Sequence, residues 1–410
     1  MEFIFCVIFS LMYIEPVQKG RYEGYGEFDS KSKGIFSNTL NNFGMDWVLV
    51  GSFVPLLLIG LLTMSSFTGS GGSYFIKQLI WISVSILIFF IVSRIDFRFL
   101  RTTYASVALF ITSCVSLGAV ALIGKVAKGA QSWFDLGLFS IQPVDPVKLA
   151  IIIILAKYFS RRHIEIANFR HILVSGAYAF IIFVLVALQP DFGSAMIIFF
   201  LWAGMVLVSG IKKKHVVAVF AVGLISFALL WSFAFKDYQK NRIRTFMNPL
   251  ADVHGTGYNV NQSIIAVGSG QAWGKGIGYG TQSRLKFLPE YQTDFIAAAF
   301  SEEWGFTGFF IFCALYLTVV WRVILHAIRG ATNFEILFAS GFAIYLVAHF
   351  VINVGMNLGL VPVTGIALPF LSYGGTHILT ELIGLGMIVA MRRYGKVAHG
   401  REIGEDFQIT

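Results

Sequence analysis

The residues best placed to do chemistry in this chain sit in the stretch KFLPEYQTDFIAAAFSEEWG, residues 286–305. It sets Asp294 between a proline-bounded loop and an apolar helical run, then adds Glu302 and Glu303 less than three turns later. Two readings of Asp294 stand side by side. In one, Thr293 caps the helix and Asp294 complements the positive end of its dipole. In the other, the carboxylate lies at the mouth of a membrane cavity, where the helix N-terminus keeps it ionised as a metal ligand or as a base for a hydroxyl proton. Glu302 and Glu303 project about 80° and 180° around an ideal helix from Asp294, so neither has to share its site.

The run GSGQAWGKGIGYG (268–280) invites a phosphate-loop reading but fails it, because Gly276 rather than Ser or Thr follows Lys275. Its glycines fit tight turns and close backbone approach, to the chain itself or to a polar headgroup with Lys275 facing a pyrophosphate. QPVDPVK (142–148) and QPDFGS (189–194) each put an Asp beside a Pro at the end of an apolar run, where helix capping explains them as well as catalysis does. Lys148 falls just inside a span and must find a carboxylate or snorkel outward, with Asp145 as a candidate partner. The eight histidines form no HxxxH or HExxH pair, and there is no GxSxG elbow, so neither a preformed zinc site nor a serine hydrolase is expected. Cys6, Cys114 and Cys313 fall singly in apolar runs and read as small buried hydrophobes. An acid, basic residues and glycines on a loop above a bundle suit an anionic, lipid-linked substrate.

The elements that carry these residues follow from composition. The chain has 410 residues, 56% hydrophobic and 13% charged, with a mean hydropathy of +0.74. Soluble domains carry about 25% charged residues, so lipid is the expected solvent. Long apolar runs without strand-like alternation favour helices over a barrel. Spans are predicted at 46–67, 74–93, 103–124, 146–159, 172–188, 192–210, 215–236, 300–321, 333–353 and 376–391, the fourth and tenth being short. The fold class is therefore all-α, a polytopic membrane helical bundle of about ten transmembrane helices with a large extracellular loop, 237–299, between helices 7 and 8.

Basic residues orient it. Arg94, Arg98 and Arg101, then Lys157, Arg161, Arg162 and Arg170, then Lys212 to Lys214, Arg322, Arg329, Arg392, Arg393, Lys396 and Arg401 fall on one side, against little more than Lys125 and Lys128 on the other. The positive-inside rule makes the first set cytoplasmic and, with an even number of spans, both termini too. Residues 1–45 read as a cytoplasmic or interfacial extension, 46–395 as the membrane domain and 396–410 as a cytoplasmic tail. The net charge of +9 is dispersed in short clusters rather than gathered on one face, which excludes nucleic acid as a partner and leaves membrane lipid as the partner of those charges.

Over 46–395 the chain resembles the SEDS family (shape, elongation, division and sporulation) of polytopic peptidoglycan glycosyltransferases. The resemblance rests on GAQSWFDLG, IQPVDPVKLA, LQPDFGSA, the long run from GYNVNQS to YQTDFI, EEWG and GLVPVTGIALPFLSYGGT, in that order. GAQSWFDLG and GTQSRLKFLPE look more like the RodA-like elongation branch than the FtsW-like division branch. By motif, the resemblance implies that Asp294 is the essential carboxylate, and that Gln262, Ser263 and Lys275 belong to a substrate-binding extracellular loop with Arg242 as a further basic position. Two departures stand out: QPVD replaces the usual QPSE, putting the shorter Asp145 where Glu is expected, and Ala367 replaces a proline in GIALPF.

The implied substrate is lipid II, polymerised with inversion and release of polyprenyl pyrophosphate in a bacterial cytoplasmic membrane. Asp294 would be the base, with a divalent cation (Mg or Mn) as an optional companion, and Arg242 and Lys275 would face the leaving group. The implied partner is a class B penicillin-binding transpeptidase. A lipid II flippase, or a non-catalytic scaffold for the transpeptidase, is the competing reading, and neither needs Asp294.

Overall fold

A computed structural model of the chain describes residues 45–66, 72–127, 130–135, 137, 140–161, 169–210, 217, 221, 223, 232, 237–248 and 255–406. Short polar side chains set where many of its helices begin, by accepting from otherwise orphaned N–H groups. Asp46 Oδ1 accepts from Leu49 N at 3.2 Å and opens α1, Trp47–Ser66. α2, Gly72–Val92, is followed by a 3-10 turn at Phe97–Arg101 capped by Asp96, and Thr102 then opens α3, Thr103–Ile123. α4 is Val144–Ser160 and α5 is Phe169–Leu188. Asp191 caps α6, Phe192–Val208, through Ser194 N at 3.0 Å, so the Asp of QPDFGS is a capping residue.

The expected loop carries α7, Asp237–Met247, α8, Thr256–Ser269, and a single turn α9, Thr281–Arg284. α10 is Ile296–Ile328, α11 is Asn333–Asn357 and α12 is Gly375–Asp406. Nine of the ten expected spans thus have a helix among the described residues, namely α1 to α6 and α10 to α12. Six helices are long and apolar enough to cross a membrane by themselves, while α4 and α6 are shorter. The seventh expected span, 215–236, lies outside the described residues apart from isolated positions, as do residues 1–44 of the expected extension and 407–410 of the tail.

One feature departs from a purely helical reading. GAQSWFDLG contributes to a small antiparallel sheet of order β1-β2-β3, with β1 Lys125–Ala127, β2 Ala130–Asp135 and β3 Ser140–Ile141. The segment is too short to span and joins α3 to α4, so its backbone groups pair across a hairpin instead. Cys114 and Cys313 are half-buried rather than buried, and Cys6 is outside the described residues.

α11 is the axis of the bundle. It packs on α4, α6 and α10, and 89% of its apolar window is buried against protein, whereas α3 buries 17% and turns Val107, Ile111, Val115 and Leu122 outward. Side-chain bridges tell which helix ends meet. Ser66 reaches Glu303 (2.8 Å) and Thr376 reaches Asp145 (3.0 Å) at one end. At the other, Arg322 reaches Asp46 (2.6 Å), Arg101 reaches Glu335 (2.6 Å) and Tyr394 reaches the Arg94 carbonyl (2.7 Å). Among the described residues, Arg94, Arg98, Arg101, Lys157, Arg161, Arg322, Arg329 and Arg392 are gathered at this second end, and Asp294 is at the first.

Candidate active site

Asp294 lies in a turn just before α10 and is half-buried. Thr293 does not cap the helix, because its hydroxyl is bonded within the preceding turn to Glu290 (3.2 Å to Oε2). The cap comes from a neighbour. Asn357, at the end of α11, accepts from Ala298 N through Oδ1 (3.1 Å) and donates through Nδ2 to the Asp294 carbonyl (3.0 Å). Asn353, one turn earlier, donates to the same carbonyl (3.0 Å) and to the Ile366 carbonyl (2.7 Å). Two asparagines therefore tie the main chain at Asp294 to α11 and to the segment 358–374 that joins α11 to α12.

That segment enters the bundle as irregular backbone, and its polar groups are satisfied by protein, as membrane depth requires. His349 Nδ1 meets the Ala367 carbonyl (3.2 Å), Glu381 accepts from Phe370 N (3.1 Å) and Gln78 donates to the Ser372 carbonyl (3.2 Å). Ser372 Oγ donates to the Thr293 carbonyl and Tyr373 N to the Gln292 carbonyl, both at 2.8 Å. Gly365 takes φ +74°, a conformation that suits glycine, and a Cβ there would lie 3.5 Å from Asp294 Oδ2. Backbone thus lines one side of the carboxylate. Arg242, on α7, donates to the Val363 carbonyl (3.3 Å), so it and Asp294 meet the same short stretch of chain.

The other sequence-expected residues fall differently. Gln262 is half-buried on α8, and Ser263 beside it is fully buried, its hydroxyl donating to the Asn357 carbonyl (2.8 Å). Ser263 therefore anchors the helix behind Asp294 and presents no surface to a substrate. Lys275 donates to Glu302 Oε1 (2.6 Å) and to Thr281 Oγ1 (2.8 Å). Glu302 is wholly buried and also accepts from Thr281 N (2.9 Å) and Gln282 N (3.1 Å), while Glu303 accepts from Ser66 and from Gly278 N (3.2 Å). The two glutamates are clasps for the glycine-rich loop, separate from Asp294.

The glycines explain how the loop gets so close. α10 is broken at Gly305 (φ 67°, ψ −170°), and the loop main chain fills the break. Lys275 N and Gly276 N donate to the Glu302 and Glu303 carbonyls, both at 3.0 Å, and Phe306 N returns to the Gln271 carbonyl at 2.9 Å. A Cβ on Gly274 would stand 2.2 Å from the Glu303 carbonyl oxygen, which no rearrangement of a side chain relieves.

A second polar set lies inside the bundle. Lys148 meets Asp145 at 3.2 Å, the partnership its position demanded, so the shorter acid still reaches its cation. Thr376 donates to the other Asp145 oxygen (3.0 Å), and His377 Nδ1 stands 3.6 Å from the carboxylate and 3.3 Å from Tyr345 Oη. His377 Nε2 is 2.9 Å from Glu381 Oε1, close enough for an ion pair although not aligned as a hydrogen bond. Sequence reasoning passed over His377 and Glu381 because it sought metal-ligand spacings. The signal was present as an ionisable i, i+4 pair in an apolar span. Asn353 and Asn357, likewise missed, are polar residues one turn apart on a buried helix.

Among the described residues no three His, Cys, Asp or Glu side chains converge as a cation cage. A divalent ion at Asp294 would therefore take most of its ligands from water and phosphate oxygens. Mg²⁺ accepts such a donor set, so the residues present fit that mode of binding.

Comparison with known proteins agrees with this architecture. The peptidoglycan glycosyltransferase MrdB of Escherichia coli is 31% identical over 371 residues, covering 90% of this chain and 98% of that one. The stage V sporulation protein E of Bacillus subtilis is 34% identical over 362 residues, covering 86% and 98%. A solved peptidoglycan synthase complex, described as coordinating polymerization and crosslinking, contains a chain that superposes with a TM-score of 0.73 at 27% identity, over 85% of this chain and 98% of that one. The crystal structure of the rod shape determining protein RodA of Thermus thermophilus gives 0.64 at 27% identity, over 85% and 96%. With the profile of the FtsW/RodA/SpoVE cell cycle proteins matching residues 42–397, the chain belongs to that family, the SEDS family its motifs resemble.

Proposed function

We propose that this protein polymerises lipid II into glycan strands, with Asp294 as the base. As a member of this family it is a peptidoglycan glycosyltransferase, a multi-pass membrane enzyme of cell-wall synthesis. The observation that carries the assignment of Asp294 is its anchorage: the main chain is held by Asn353 and Asn357 while the half-buried carboxylate stands beside the backbone at Gly365. A half-buried carboxylate on an anchored main chain suits proton abstraction from an arriving hydroxyl.

The 4-hydroxyl oxygen of the acceptor GlcNAc forms a bond to the anomeric carbon of the donor MurNAc. The bond from that carbon to the polyprenyl pyrophosphate breaks, and the hydroxyl proton passes to Asp294. An α-linked donor becomes a β-linked product, as a single in-line displacement requires. Arg242 reaches this stretch by its bond to Val363, and we assign it to the pyrophosphate. Lys275 is engaged by Glu302, and we assign it to holding the loop. A Mg²⁺ or Mn²⁺ ion on Asp294 would supply charge neutralisation to the same phosphates.

Asp294 would face the outside of a bacterial cytoplasmic membrane, with both termini in the cytoplasm, a placement supported by the basic residues gathered at the opposite end. Likeness to a rod shape determining protein supports a role in elongation. Likeness to a chain from a synthase complex supports a class B penicillin-binding transpeptidase as partner. The test is glycan synthesis from labelled lipid II by purified Asp294→Asn protein, with a melt to confirm folding. A loss of about 10²- to 10⁴-fold is expected for removal of a general base. Near-normal polymer from a folded variant removes Asp294 from the chemistry and returns the flippase and scaffold readings.

A further inference from the structure

At the end of the bundle opposite Asp294, a notch opens between the last turn of α10, the first turns of α11 and the far part of α12. Its lining includes His326, Arg329, Glu335, Phe338, Ile388 and Arg392. Behind it Asp46 accepts from Arg322 Nε (2.9 Å) and Nη2 (2.6 Å) and lies 2.8 Å from His326 Nε2 and 3.8 Å from Arg392 Nη1. Glu335 is engaged by Arg101 at 2.6 Å and by Ala331 N at 3.0 Å.

The charges here do not balance. Among the described residues, four arginines (101, 322, 329 and 392) face two carboxylates (Asp46 and Glu335), an excess of two positive charges. Among the described residues Arg329 has no carboxylate within ion-pair distance, and Arg392 has only the long contact to Asp46. Arg392 is also within electrostatic reach of both Arg322 and Arg329, like charges gathered at a site partly shielded from water. His326 is 6% exposed, and its Nδ1, the ring nitrogen that Asp46 does not engage, has no partner. A buried polar atom beside a cationic notch leaves a hydrogen bond for an ordered water or a bound group to fill.

The position of the notch says which ligand. It sits at the end of a membrane-crossing helix, and exposed Trp321 and Ile328 adjoin Arg322 and Arg329 along α10. Tryptophan and arginine side by side at a helix end mark headgroup level, where a phosphate can meet the arginines while its acyl chains run down the apolar flank. We propose that this notch binds the phosphate of an anionic phospholipid headgroup, held by Arg329 and Arg392. Free phosphate has the same anionic oxygens but would draw nothing from the apolar flank.

Full-length protein in detergent, mixed with equal amounts of phosphatidylglycerol and phosphatidylcholine, is examined by native mass spectrometry. Preferential retention of phosphatidylglycerol is expected. Losing about 1 kcal/mol per arginine lowers that retention about fivefold in Arg329→Gln and about 30-fold in Arg329→Gln/Arg392→Gln. Arg329 is exposed and has no ion partner among the described residues, so the single variant should fold normally, and Arg170→Gln, an exposed change on α5, should leave retention unchanged. Equal retention of the two lipids, or an unaltered ratio in folded Arg329→Gln, overturns the proposal. So does displacement of the lipid by inorganic phosphate at an equal concentration, which would make the notch a soluble-anion site.

Discussion

If Asn353 and Asn357 hold Asp294 in place, removing them should damage catalysis more than their separate losses suggest. Both donate to the Asp294 carbonyl, so either single alanine variant leaves that carbonyl one donor. Asn357→Ala orphans Ala298 N, and Asn353→Ala removes the donor to the buried Ile366 carbonyl. Each orphaned buried group costs about 1–3 kcal/mol, and the double variant also strips the Asp294 carbonyl of both donors, so with three orphaned groups it should lose about 3–9 kcal/mol of stability, exceeding the sum of the singles by about one such group. Activity should depart from additivity more steeply. Only the double variant frees the main chain at Asp294, and a misplacement of about 1 Å costs about 10²-fold in rate. Lipid II polymerisation well below the melting transition is therefore expected to fall less than about tenfold in each single variant and about 10²-fold or more beyond their product in the double. A double variant that melts early yet keeps kcat within about twofold would show that the asparagines hold the fold and not the carboxylate.

The glycine-rich loop gives two further expectations. Lys275→Ala should open residues 274–282 to protease and lower stability by about 1–3 kcal/mol, with Lys275→Arg restoring both, since the ammonium is bonded to Glu302. Gly274→Ala drives a methyl into the Glu303 carbonyl and should detach the loop at a cost of about 3 kcal/mol, read by the same proteolysis; an intact loop would contradict the close approach. In the inner set, His377→Ala leaves Asp145 and Glu381 without the ring between them and should cost about 3–5 kcal/mol, most of which His377→Ala/Glu381→Leu recovers. For sidedness, a cysteine at exposed Arg284 in a protein lacking native cysteines should react with an impermeant probe from outside the cell; reaction only from within would invert the proposed orientation.

The helical bundle was legible because apolar runs of membrane length announce themselves, and the basic residues sorted its two ends before any contact was known. The small sheet at GAQSWFDLG was not, since a hairpin of three short strands leaves little periodic signal beside helices of about twenty residues. At the site, sequence singled out Asp294 and Arg242, and the structure brings both to the segment 363–365. It could not distinguish a lysine awaiting a ligand from one already paired, because Lys275 and Glu302 are 27 residues apart and meet only through the break at Gly305. Lys148 and Asp145 were readable as a pair because they are three residues apart on one helix face. Asn353 and Asn357 act through main-chain groups distant in sequence, which no local pattern encodes.

Arg242 separates the two roles that a cation near the site can have. Its one described bond, to the Val363 carbonyl at 3.3 Å, is long for an N–H···O contact and comes from a half-exposed side chain. As a tie between α7 and the inner segment it is worth about 0.5–1.5 kcal/mol, and losing it would appear in the melt as much as in the rate. As a counter-charge to pyrophosphate it is worth about 1.5–3 kcal/mol, which becomes about 10- to 150-fold in kcat/KM with no matching change in stability. Arg242→Ala should show the second pattern. Arg242→Lys, which keeps the charge but not the planar fork, should recover part of the rate. Equal, small losses of rate and stability in Arg242→Ala, with no gain in Arg242→Lys, would make Arg242 a strut of the loop and leave the leaving-group charge to be met by metal or by another residue.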